Sequence, residues 1–173
     1  GTVLSGVTLK APEGATVITP TTTLMKEGNL TVEQVASVLG LPDGVDPLTF
    51  NPYADGVSAS DALAVEKASQ QVMSVVNAFA SAAEGAGATE AVAYTAALNS
   101  IVEVVKTKAA SSETLDLTST ADLALIKTQV KTEVASTAGV NTTAFNALAD
   151  DTATAVENVN TKIDSITDTD LTS

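Results

Sequence analysis

The chain has 173 residues, an ordinary length for one domain, and its 21 acidic residues and eight lysines give it a net charge of −13. It contains no histidine, cysteine, tryptophan or arginine, so it lacks the commonest general base, the thiol nucleophile and the best phosphate-binding side chain. We therefore expect no enzyme and no disulfide. We also expect no nucleic-acid or anionic membrane partner, because both require clustered basic side chains.

The first 19 residues are rich in β-branched side chains and are interrupted by Gly6, Pro12 and Gly14. This pattern predicts one or two short strands with a turn. Two strands alone do not make a stable sheet. We therefore interpret residues 1–19 as a β-strand segment that either forms the edge of a preceding β domain or packs across the helices. The opening without Met or a signal sequence suggests a piece of a longer protein.

Two short helices are predicted next. Thr19 and Pro20 are typical of a helix start, and that helix should end at Gly28. Thr31 and Gln34 have the spacing of a capping box, which predicts a second helix that closes at Gly40.

Residues 41–58 contain three prolines and two glycines and predict a long irregular connection, a type of segment that is usually functional or mobile. Phe50 and Tyr53 lie in it and are the only clustered aromatic residues, so they are candidate ligand-binding residues. The alternative is that both rings cover an end of the core.

Four long amphipathic helices are predicted from residue 60 onward, over about 60–85, 89–109 and 119–138 and from 141 towards the C-terminus. Polar pairs that can cap these helices precede three of them: Ser60–Asp61, Ser119–Thr120 and Asn141–Thr142. The last helix has apolar residues at steps of three and four, which predicts a heptad-like inward seam interrupted by one threonine. That seam comprises Phe145, Leu148, Thr152, Val156, Val159, Ile163 and Ile166.

These elements predict an all-α fold, an antiparallel up-down bundle of four long helices with two short N-terminal helices, preceded by the short β segment. The scarcity of aromatic residues agrees with a core of Ala, Val, Leu and Ile packed between helices. We assign residues 20–168 to the helical bundle domain and 169–173 to a polar tail or linker. The longest apolar stretch, residues 72–83, is too short to cross a membrane, so no membrane insertion is expected.

Catalytic chemistry finds little support in the remaining residues. Serine and lysine are present, but no motif pairs a nucleophile with a base. Asp150 with Asp151, or Glu84 with Glu90, offers paired carboxylates, yet glycoside hydrolysis normally adds aromatic platforms for the sugar. We interpret these acids as solvated helix ends and expect neither catalytic residues nor a required cofactor.

Calcium is the one metal that the composition allows, because it takes carboxylate and carbonyl oxygens. Two acidic clusters are candidate metal ligands, and neither follows the twelve-residue calcium-loop pattern. They are Asp43, Asp46 and Asp55 in the connection, and Asp164, Asp168 and Asp170 near the C-terminus. The alternative is that both clusters are solvated acidic surface.

Three stretches, residues 6–24, 39–46 and 64–73, resemble a helical segment of very large exported bacterial proteins, the repeat-containing, calcium-binding adhesins of RTX and cadherin-like type. The phrase from Thr8 to Leu24 resembles the junction where a small β-sandwich ends and a helical module begins in those proteins. Thr21 stands where relatives tend to have leucine. The similarity covers roughly the first half of the chain. It implies location and architecture but no site, because the glycine-rich nonapeptide calcium repeat is absent.

Together these observations predict a non-catalytic structural or adhesive helical module of a large secreted or cell-surface bacterial protein, acting as a spacer or scaffold. Its partners would be neighbouring domains of the parent chain and cell-surface or matrix components. The acidic surface would keep it soluble. The alternative is a ligand- or calcium-binding module that uses the 41–58 connection or the acidic C-terminal cluster.

Overall fold

The computed structural model describes residues 8–167, and within that range it contains six helices and no strand. The all-α prediction is therefore confirmed for the described residues. Two short helices precede four long ones. The helices are α1 (Pro20–Gly28), α2 (Val32–Val38), α3 (Ala59–Gly85), α4 (Glu90–Ala110), α5 (Thr120–Ala135) and α6 (Thr142–Asp164).

The predicted strand segment is wrong over residues 8–19, which form neither strand nor helix. The main-chain N–H of Lys10 donates to the Thr23 hydroxyl at 2.9 Å. The Lys10 carbonyl accepts from the hydroxyls of Thr22 and Thr23 at 3.0 and 3.1 Å. Side chains of α1 thus satisfy backbone groups that a neighbouring strand would otherwise pair. Residues 1–7 lie outside the described part of the chain.

The caps predicted for α1, α2 and α6 form, whereas Ser119 precedes α5 without a side-chain cap hydrogen bond. Thr19 and Thr31 each form a capping box with the side chain three residues later. Asn141 accepts a hydrogen bond from the Ala144 N–H at 3.0 Å. The predicted cap at Ser60 is wrong because α3 already begins at Ala59, and Ser58, the residue before it, accepts from the Asp61 N–H at 3.0 Å.

The four long helices pack around one apolar core that is mostly aliphatic. α3 packs against α4 and α6, and α5 also packs against α4 and α6. α1 lies on α3 and α4, and α2 packs against α4 and α1. The largest fully buried side chains include one or two from each long helix: Phe79, Ile101, Leu123, Ile126 and Phe145. Among residues 8–167, none of the helices combines the length and apolar character needed to cross a membrane.

The face that α6 turns inward differs from the predicted seam. Phe145 and Val156 are buried as expected. Leu148, Val159 and Ile166 are instead 41%, 47% and 38% exposed. The buried residues of α6 are Phe145, Ala149, Val156 and Asn160. The helix is thus rotated so that a small residue and a polar residue occupy core positions while three larger apolar residues remain outside.

Candidate functional site

An apolar cleft lies where the 41–58 connection meets the start of α3 and the end of α6. It has a volume of about 430 Å³. Its apolar wall is formed by Pro52, Tyr53, Ala62, Leu63, Ile163 and Ile166. Three polar side chains complete it: Glu66, Lys67 and Gln70. A cleft of this size and composition suits a small apolar or amphipathic ligand group.

The two candidate aromatic residues have different surroundings. Tyr53 is 85% exposed, and its main-chain N–H donates to the Asn51 side-chain oxygen at 3.0 Å, which shapes the turn that presents the ring. Phe50 is half-buried, and its N–H donates to the Asp46 carbonyl at 2.8 Å. Only Tyr53 lines the cleft. The structure therefore separates two residues that the sequence placed together.

A second, more polar groove of about 640 Å³ adjoins the cleft and shares Leu63, Lys67 and Ile166 with it. Lys67 Nζ donates to the Asp164 carbonyl oxygen at 2.6 Å. This places a positive charge at the C-terminal end of α6, where the helix dipole favours it. The ammonium group is therefore already bonded within the protein.

Behind this groove, a fully buried polar residue links three segments. Asn160 Nδ2 donates to the Leu117 carbonyl at 2.9 Å, and Gln71 Nε2 donates to the Asn160 carbonyl at 3.3 Å. Asn160 Oδ1 has no partner among the described residues. Sequence reasoning missed Lys67, Gln71 and Asn160. The one sequence feature that could have indicated Asn160 is its position four residues after Val156, which places its amide on the same, inward face of α6.

The predicted calcium ligands do not form a recognisable cluster within residues 8–167. Asp43 and Asp55 are exposed, and the Asp46 carboxylate accepts from the Leu48 N–H at 2.9 Å in a local turn. Asp164 lies on the groove at the end of α6. The described residues contain no group of three or more His, Cys, Asp or Glu side chains suited to a metal ion. Asp168 and Asp170 lie outside the described range, and calcium binding stays a prediction.

A charged cluster joins α4, the α4–α5 connection and α5. Lys108 Nζ lies 2.8 Å from Asp122 Oδ1 and 3.2 Å from Glu113 Oε2. Asp122 Oδ2 also accepts from the Asp116 N–H at 2.8 Å. The hydrogen bond to Asp122 is the main cause that raises the pKa of Lys108 above its ordinary value, with Glu113 contributing further. The amine is therefore held protonated, which suits a structural ion pair and disfavours a nucleophilic lysine.

Comparison of the chain with protein-family models, with curated proteins and with solved structures finds no match.

Proposed function

We propose that this chain is a non-catalytic structural or adhesive helical module of a large secreted or cell-surface bacterial protein, where it acts as a spacer or scaffold. The resemblance of residues 6–24, 39–46 and 64–73 to segments of exported adhesins supports the location. Neighbouring domains of the parent chain would be its first partners, and cell-surface or matrix components its outer ones. Its net charge of −13 disfavours nucleic acid.

The observation that carries the scaffold role is the attachment of residues 8–19 to α1. Both main-chain groups of Lys10 bond to threonine hydroxyls of α1, and its ammonium lies 3.0 Å from Glu27. Further along, the Thr16 N–H donates to the Leu48 carbonyl at 2.8 Å. A segment held at several points moves with the helices, so it would transmit the orientation of a preceding domain to them.

We infer that α6 runs antiparallel to both α3 and α5, as an up-down bundle requires, from bonds whose positions rise in one helix as they fall in the other. For α3 and α6, Lys67 bonds to Asp164, and Gln71 to Asn160. For α5 and α6, the pairs are Lys127 with Asp150 and Thr120 with Glu157. Between the two bonds that join α3 and α6, the residue number rises by four in α3 and falls by four in α6. Between the two bonds that join α5 and α6, it rises by seven in α5 and falls by seven in α6. Such a bundle is a stiff spacer.

Backbone dynamics test the scaffold proposal. Amide order parameters of residues 8–19 should be close to those of the helices, about 0.85. In a Thr22→Val/Thr23→Val variant they should fall below about 0.6, since the main-chain N–H and carbonyl of Lys10 lose their hydroxyl partners. Thr128→Val is the matched control, because the Thr128 hydroxyl donates to the Ala124 carbonyl within α5. A wild-type segment that is already as mobile as the double variant would refute the proposal.

A second candidate function is supported by Tyr53, whose exposed ring borders the apolar cleft. In this alternative the 41–58 connection binds a ligand with one apolar face, such as a sugar ring. A panel of mono- and disaccharides tests it by titration calorimetry. Tyr53→Ala should abolish binding and leave the melting temperature unchanged, whereas a variant that only loses stability would assign the ring to structure.

A further inference from the structure

The apolar cleft beside Tyr53 contains one carboxylate that the described residues leave unpaired. Among residues 8–167, the charged side chains that line the cleft are Glu66 and Lys67. Lys67 Nζ donates to the Asp164 carbonyl at the C-terminal end of α6, where the negative end of the helix dipole offsets its charge. The half-buried Glu66 forms no ion pair within the described range. Its carboxylate is therefore the uncompensated charge of the cleft.

Glu66 belongs to the apolar cleft and not to the polar groove beside it. Glu66 and Gln70 line the cleft alone, whereas Lys67 lines both the cleft and the groove. Residues four apart lie on the same side of a helix, so Glu66 and Gln70 form one polar edge along α3. Apart from Lys67, the rest of the lining is apolar or aromatic: Pro52, Tyr53, Ala62, Leu63, Ile163 and Ile166. The cleft thus combines an apolar wall with an edge that carries a negative charge.

We propose that the cleft binds a small organic ammonium ion, a primary amine attached to an apolar ring or chain. This inference rests on the second candidate function, in which the 41–58 connection binds a ligand with one apolar face, and it adds a positive charge to that ligand. The apolar body packs on Tyr53 and Ile166, and the ammonium donates to the Glu66 carboxylate. Such charge-assisted hydrogen bonds are stronger than neutral ones. The exposed Tyr53 ring also attracts a cation through its π face.

Charge complementarity favours a cation over a neutral or anionic ligand. The net charge of −13 raises the concentration of cations near the surface of the protein. An anionic ligand would meet the Glu66 carboxylate, and the ammonium of Lys67 is already bonded to α6. Lys162 lies next to Ile163 in the sequence but does not line the cleft. A bound ammonium ion would pair with Glu66 without displacing a bond of the protein.

Three compounds of similar size separate charge from shape: phenethylammonium, 2-phenylethanol and phenylacetate. NMR titration of the 173-residue chain follows the methyl signals of Leu63, Ile163 and Ile166, which report binding in the cleft. We expect a dissociation constant on the order of 1 mM for phenethylammonium, as for a fragment of this size. The alcohol should bind about fivefold more weakly and the carboxylate more weakly still.

Two results would overturn the proposal in different ways. Equal affinities for the ammonium and the alcohol would refute the selection of a cation and leave the second candidate function standing. If none of the three compounds shifts the cleft methyl signals, the ammonium site does not exist. The saccharide panel then decides separately whether the second candidate function also fails.

Glu66→Gln tests the role of the carboxylate with little change of shape. It should weaken phenethylammonium binding about fivefold, to the level of the alcohol, and leave the affinity for the alcohol unchanged. Glu84→Gln is the matched control, because it removes the same charge from an exposed position of the same helix. Glu84 lies about 27 Å further along α3 at about 1.5 Å per residue, well beyond the screening length of about 8 Å at about 0.15 M salt. Equal losses in both variants would assign the binding to the net charge and refute the site.

Discussion

Lys67 Nζ donates a 2.6 Å hydrogen bond to the main-chain oxygen of Asp164, 97 positions away in the sequence. The bond joins the start of α3 to the end of α6 beside the apolar cleft. Replacing Lys67 by methionine keeps much of the stem and removes the charge, so we expect a loss of about 1 kcal/mol in unfolding free energy. A thermal melt should show a decrease of about 2–4 °C.

The matched control for Lys67 is Lys26→Met, which removes an exposed lysine from α1. It should shift the melting temperature by less than about 1 °C. Equal shifts for the two variants would mean that the Lys67–Asp164 bond contributes no more than an ordinary surface charge.

Asn160 should be the most sensitive polar residue of α6, because it is fully buried and its amide bonds to the Leu117 carbonyl. Asn160→Asp removes the donor and buries a carboxylate next to that carbonyl, so we expect a loss of about 3 kcal/mol or more at neutral pH. The loss should shrink as the pH falls and the carboxyl becomes protonated. Urea unfolding measures both effects.

The control for Asn160 is Asn158→Asp, a neighbouring exposed amide on α6. It should change the unfolding free energy by less than about 0.5 kcal/mol at neutral pH. A pH-independent loss at Asn160 would show that the substitution acts through shape and not through a buried charge.

Alkaline pH should destabilise the protein through Lys108. Its pKa is raised, first by the hydrogen bond to Asp122, so the folded state holds this proton more tightly than the unfolded state. The contribution is fully present below the ordinary lysine pKa of about 10.4 and is lost as the pH rises through the folded value. Unfolding free energies of the wild type and Lys108→Met should therefore differ at pH 9 and converge once the pH exceeds the raised pKa of Lys108 in the folded protein.

Burial also raises the pKa of Tyr94. Deprotonation of Tyr94 therefore lowers the unfolding free energy at alkaline pH, as deprotonation of Lys108 does. Both proteins should therefore be compared in a Tyr94→Phe background. Lys106→Met is the control, since its ion pair with Glu103 is exposed. A gap between wild type and Lys108→Met that persists at high pH would assign the effect to packing of the lysine stem.

The pKa of Asp150 provides a test at acidic pH. The hydrogen bond from Lys127 is the first cause that lowers the pKa of Asp150, and the charge of Lys131 adds to it. Lys127→Met should raise this pKa towards the ordinary aspartate value, as followed by NMR titration of the side-chain carbon. High salt should reduce the effect because the pair is exposed. An unchanged pKa would show that the Lys127–Asp150 bond is not formed in solution.

The starts of α1, α2 and α6 could be predicted from the sequence, because the interactions that define them are local. Thr19, Thr31 and Asn141 each bond to a backbone N–H three residues away. No distant part of the chain is needed for such a contact. The scarcity of aromatic residues likewise favoured a helical core of small aliphatic side chains. The cleft was harder to predict from the sequence. Tyr53 and Phe50 lie close together in the same irregular segment, and only the fold shows that Tyr53 lines the cleft while Phe50 does not.

What only the tertiary structure decided is the rotation of α6. Its apolar spacing predicts one seam, but a helix turns towards the contacts that its neighbours offer. Here the Leu117 carbonyl and the Gln71 amide meet Asn160 in the interior, and Leu148, Val159 and Ile166 stay partly exposed. The sequence by itself determined where α1, α2 and α6 begin and that the core is mostly aliphatic. Which face of α6 remains open depends on hydrogen bonds between residues 43 and 89 positions apart, which no local pattern encodes.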